Sequence, residues 1–187
     1  MNISNSVISA LKEVHKIMKP HGFICLPKSV FTFLHLQKTC PDESFQIKLG
    51  NLHFTCIDGT EICLFRQNFD VNAIVDNEFE NLNSQNLSEN ESIEHNWRGH
   101  AWVEMNDRYI IDMSFFPTLY CDAMPEYLKG VIIHAFGNDR AILVIDKLTN
   151  QTPLRYEELG IMSEKVIDTQ AEWLLDDSDF FLRQQVE

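Results

Sequence analysis

The stretch RGHAWVEMNDRYIIDMSFF, Arg98 to Phe116, constrains the fold more tightly than any other part of the chain. Its two halves can each be divided into two sets of alternating residues, as on a strand whose faces meet different surroundings. Asn106 and Asp107 lie between the halves, and both residue types tolerate the left-handed backbone of tight hairpin loops. In an antiparallel pair, His100 and Asp112 share a face only if the numbers of paired residues sum to an even value. An odd-length loop satisfies this condition, whereas a two-residue Asn-Asp turn sends the two side chains to opposite faces. With an odd loop, His100, Trp102, Glu104, Ile110 and Asp112 line one face. Ala101, Val103, Met105, Tyr109, Ile111 and Met113 line the other, which is apolar or aromatic throughout and belongs on a core. The mixed face is expected to front a cleft.

Around this hairpin the pattern is that of an α+β domain. Val7, Ile8, Leu11, Val14, Ile17 and Met18 recur at helical spacing, with Ser4 or Asn5 as N-cap and Pro20 as the stop. A second helix is expected around Pro27, with Val30, Phe31, Phe33, Leu34 and Leu36 apolar on nearly every side, the composition of a buried helix. SFQIKLGNLHFTCIDGTEICLF reads as two strands around an Asp58-Gly59 turn, and GVIIHAFGNDRAILVID as two more. Residues 68–96 are rich in Asn, Glu and Ser and read as a long loop, either a plain surface excursion or a lid over a site. The acidic segment over about 153–187 is expected to be helical, with a break near Gly160. With 187 residues, no linker composition and no internal repeat, a single domain over 1–187 is expected.

Composition narrows the partners. Fifteen basic against 28 acidic residues give a net charge of −13. A field of that sign opposes nucleic acid and anionic membranes, because phosphate contacts need Lys or Arg. No apolar run is long enough to span a bilayer, and the lysines of the first helix fall inside its pattern rather than ahead of an apolar core, unlike a secretion signal. Five cysteines, at 25, 40, 56, 63 and 121, form no CxxC motif, which fits a reducing, cytoplasmic setting; delivery by a specialised secretion route stays open.

The chemistry-bearing residues are His100, Asp112 and one thiol. A carboxylate bonded to one imidazole nitrogen fixes the ring's tautomer and leaves the other nitrogen to serve a nucleophile. Cys25 immediately precedes the start of the Pro27 helix, where N–H groups and the helix dipole favour a thiolate. Ser29, one turn on, is the weaker alternative. Trp102, flanking His100, is read either as a core residue or as a shelf for substrate. A metal hydrolase built on His95, His100 and His134 lacks an HExxH spacing and is disfavoured, so no metal and no cofactor are expected.

GHAWVE and RYIIDMSFF resemble the histidine and aspartate segments of the transglutaminase-like superfamily, and the match extends from about Gly22 to Phe116. The resemblance implies a papain-like fold: a buried N-terminal helix packed on an antiparallel sheet. It implies Cys25 as nucleophile, His100 as general base and acid, and Asp112 as the residue orienting the histidine. It also implies a thiol-dependent acyl-transfer enzyme acting on a protein or peptide amide, as protease, deamidase or transglutaminase. No glutamine stands shortly before Cys25, so the backbone N–H of Cys25 and a group from elsewhere would have to serve the oxyanion. The alternative is a catalytically inactive module of the same fold that binds a protein partner.

Overall fold

The computed structural model of the chain describes residues 3–18, 25–65, 99–115, 142–149 and 152–176. Helix α1 (Asn5–Met18) starts behind Ser4, whose Oγ accepts from the Val7 N–H at 3.4 Å, and it buries Val7, Ala10, Leu11, Val14 and Met18. Helix α2 (Cys25–Thr39) takes Pro27 in its first turn, where the missing N–H forfeits no helical bond. It is the buried central helix expected, with Val30 and Leu36 fully enclosed. Two polar side chains tie it down: Thr32 Oγ1 donates to the Lys28 carbonyl at 2.6 Å, and Ser29 Oγ donates across to the Ala101 carbonyl at 2.9 Å.

Among the described residues, six strands form one antiparallel sheet: β1 (Phe45–Thr55), β2 (Glu61–Phe65), β3 (His100–Met105), β4 (Tyr109–Asp112), β5 (Leu143–Asp146) and β6 (Leu154–Ile161). The Asp58-Gly59 turn joins β1 to β2; Gly59 takes φ +84°, and Asp58 Oδ1 accepts from the Thr60 N–H at 2.9 Å. Lys48, Leu49 and Gly50 of β1 pair with both β3 and β6, while Leu52, His53 and Phe54 pair with both β2 and β6. A strand has two edges, so β6 runs along one of them and β3 and β2 follow each other along the other. Beyond β3 come β4 and then β5. At Gly50 an added Cβ would overlap the Glu157 carbonyl oxygen, so only glycine lets β6 lie this close.

The central strands β3 and β4 are buried on both faces. Helices α1, α2 and α3 (Glu164–Asp176) share one core with Ala101, Val103, Met105, Tyr109, Ile111 and Met113, the apolar face expected of the hairpin. The opposite face carries a second apolar cluster, with Leu52, Phe54, Trp102, Ile110, Phe115, Leu143, Ile145 and Leu154. The face expected to front a cleft is therefore covered.

The C-terminal helix begins later than expected. Of the segment 153–187, Leu154–Ile161 is strand β6, and helix occupies only Glu164–Asp176 among the described residues. The acidic residues that suggest a solvated helix face are cross-strand partners instead. Arg155 bonds Glu61 at 2.6 and 2.9 Å, Glu157 bonds Asn51 at 2.8 Å and His53 at 2.9 Å, and Glu158 bonds Lys48 at 2.8 Å. The open edge of β1, with apolar Leu154 and Tyr156 turned to the second core, overrides helical propensity here. The expected loop 68–96, and the strand expected before Gly137, lie outside the described residues. No described helix is long and apolar enough to cross a membrane.

Candidate functional site

The hairpin loop decides the site. Asn106 and Asp107 adopt φ of 54° and 53°, and the register pairs Met105 with Tyr109, leaving the three-residue loop 106–108. Asn106 is held in place by Ser44, whose N–H donates to Oδ1 at 2.9 Å, and by Glu43, which accepts from Nδ2 at 2.6 Å. The odd loop makes paired numbers sum evenly, and His100 and Asp112 meet: Nε2 of the imidazole lies 2.6 Å from Asp112 Oδ2. Both side chains are fully buried.

Asp112 ends β4, and its carboxylate organises the chain that follows. Oδ1 accepts from the N–H groups of Ser114 and Phe115 at 3.0 and 2.9 Å and from Ser114 Oγ at 2.9 Å. Oδ2 accepts from the Tyr156 hydroxyl at 2.7 Å as well as facing His100. Burial opposes its charge, but the His100 charge and these bonds outweigh that, and the carboxyl is held below its usual range. For His100, burial again opposes the charge. The charge and hydrogen bond of Asp112, with a smaller contribution from the Cys25 thiol, act the other way and push the imidazole up to about 10. Burial pushes the Tyr156 hydroxyl well above its ordinary value, and the Asp112 charge adds to this.

Cys25 opens α2 and is half-buried at the margin of the helix-side core. The Ser29–Ala101 bond fixes the first turn of α2 on β3, which brings the thiol to the start of that strand, where His100 stands. Three residues far apart in the sequence thus converge: a thiol on a helix start, an imidazole on β3 and a carboxylate on β4. With Nε2 committed to Asp112, Nδ1 is the nitrogen left for the thiol. The arrangement can carry a proton between sulfur and imidazole while the carboxylate holds the ring's orientation and charge. Ser29, the weaker candidate nucleophile, is spent on its structural bond to Ala101.

Trp102, read from sequence as either a core residue or a substrate shelf, is 1 % exposed and walls the second core: its ring stacks on His100 at 6.2 Å between centroids and meets the Tyr156 ring edge-on at 5.0 Å. The two aromatics thus shield the His100–Asp112 bond from water, which strengthens it. Tyr156 was not visible as a site residue, because it lies in a segment whose composition reads as helix. Lys28 was missed too, although it follows Cys25 at the helical spacing that places two side chains on one face. It is 2 % exposed, and burial lowers its ammonium to about 8 against the raising effect of the Asp112 charge.

His95, His134 and Cys121 lie outside the described residues. Among the described residues Cys25, Cys40, Cys56 and Cys63 form no disulfide, with Cys40 buried and Cys63 exposed. Among the described residues, no three His, Cys, Asp or Glu side chains cluster in a way that could hold a metal ion. Compared with known proteins, the chain matches no family model, no curated protein and no solved structure.

Proposed function

We propose that the protein is a thiol-dependent acyl-transfer enzyme of transglutaminase-like type, with Cys25, His100 and Asp112 as its triad and a protein or peptide amide as substrate. The observation that carries this reading is the convergence itself: one imidazole bonded to a buried carboxylate and within electrostatic reach of a helix-start thiol. The Cys25 sulfur, having given its proton to His100, attacks the carbonyl carbon. A C–S bond forms and the carbonyl electrons move to oxygen. The imidazolium then protonates the leaving nitrogen, the C–N bond breaks and an amine departs. Water, or a second amine, adds to the thioester and gives its proton to His100, and the C–S bond breaks to restore the thiol. A helix opened by cysteine and packed against adjacent strands that carry His and Asp supports a papain-like arrangement.

The experiment is residue-resolved alkylation by iodoacetamide between pH 5 and 9. Cys25 should react well below pH 8 and ahead of Cys40, Cys56, Cys63 and Cys121. Exposed Cys63 serves as the internal reference. One observation favours the alternative, a protein-binding module without turnover: the imidazole is wholly enclosed. Equally slow labelling of Cys25 and Cys63 would establish that reading.

A further inference from the structure

We propose that Lys28, buried one helical turn behind Cys25, is the cation that balances negative charge on the Cys25 sulfur and on the oxyanion formed at its substrate. The inference rests on the thiol chemistry proposed above and supplies the group from elsewhere that the sequence before Cys25 lacks.

An ammonium at this place is opposed on two counts. It is almost fully enclosed, and it stands in the first turn of α2 where the helix dipole is positive. Its aliphatic stem could be replaced by methionine with little change in volume and no charge to bury. Local packing therefore gives no reason for a cation.

Nor does a hydrogen bond. The Asp112 charge acts on Lys28, but the carboxylate already takes its bonds from His100, Tyr156, Ser114 and Phe115. None of the described residues accepts a bond from Nζ. Lys28 is thus coupled to the site through its field alone.

Charge counting shows where that field matters. Asp112 and protonated His100 cancel, so a thiolate at Cys25 leaves one uncompensated negative charge, which passes to the substrate oxygen during attack. With Lys28 charged, the cluster of Cys25, Lys28, His100 and Asp112 is neutral in the ion-paired state. In a poorly solvated site, a fixed positive charge preset toward developing negative charge is the strongest contribution a side chain can make. Its lowered ammonium value still leaves Lys28 charged at neutral pH.

The test compares Lys28→Met and Lys28→Arg with the native protein by iodoacetamide alkylation of Cys25 across pH 5 to 9, read peptide by peptide. In Lys28→Met the pH of half-maximal rate should rise by about one to two units, the effect expected on losing a nearby opposite charge. Lys28→Arg should keep the native profile. If Lys28→Met does not fold, Lys28→Gln, uncharged but polar, reads the same shift. An unchanged profile in the uncharged variant, with native Cys25 still fast, overturns the role of Lys28 and leaves the thiol reading standing. Native Cys25 labelling no faster than Cys63 overturns both.

Discussion

At the scale of single residues, Asp112 carries the most weight. Its two oxygens face donors on every side, and only an ionised carboxylate can accept from all of them. Asp112→Asn places an NH2 against donors and removes the charge that keeps His100 protonated. Its effect on turnover should be on the order of 10^4, as when a triad carboxylate becomes an amide, and alkylation of Cys25 should slow in parallel. Native labelling rates in that variant would remove Asp112 from the mechanism. Tyr156→Phe takes away one charge-assisted bond and leaves the rest, so it should cost about 1.5–3 kcal/mol in urea denaturation. The pairing of His100 with Asp112 was legible in the sequence because side-chain parity is arithmetic and depends only on the loop being odd. Tyr156 was not legible: a side chain's facing cannot be worked out until its segment is known to be a strand.

At the scale of elements, the same contrast separates the β3–β4 hairpin from β6. The hairpin's alternation fixes its own faces, and its partner strand is its sequence neighbour. What made Leu154–Ile161 a strand is the unpaired edge of β1, about a hundred residues earlier, and no local pattern announces it. The second core has the same origin. Its residues come from β1, β3, β4, β5, β6 and the turn after β4, so the face that looked like a cleft wall in one hairpin is covered by elements from elsewhere. Gly50 is the point where β6 docks, and Gly50→Ala tests it. The new Cβ meets the Glu157 carbonyl and, on the other side, the Trp102 ring at 3.0 Å. Displacing β6 should cost about 1–3 kcal/mol in thermal or urea unfolding, as overpacking usually does. Because β6 carries Tyr156, the variant should also slow Cys25 alkylation, whereas an exposed replacement such as Leu148→Ala should leave it alone. Native stability in Gly50→Ala would mean that β6 docks more loosely than this geometry requires.

At the scale of the whole molecule, the buried charges make stability a function of pH with a distinctive shape. His100 rises from 6.5 to about 10 on folding. Its contribution is complete below pH 6.5 and is lost as pH climbs toward 10, because the folded state holds a proton that the unfolded state has released. Lys28 behaves in the opposite sense: folding lowers it from 10.5 to about 8, so the penalty for burying its charge is full below pH 8 and fades between 8 and 10.5. From pH 6.5 to 8 only the first effect operates, and it should lower stability by up to about 1.4 kcal/mol per pH unit. Between pH 8 and 10 the two slopes oppose each other, and the decline should level off. Lys28→Met removes the compensating slope, so its stability should continue to fall where the native protein's has flattened, and it should start from a higher value at neutral pH. Urea midpoints for both proteins, taken every half unit from pH 6 to 10, provide the comparison, and groups common to both cancel in the difference. Curves that already diverge well below pH 7 would mean that Lys28 is neutral in the folded protein at neutral pH, which would break the charge balance on which the site's chemistry is argued.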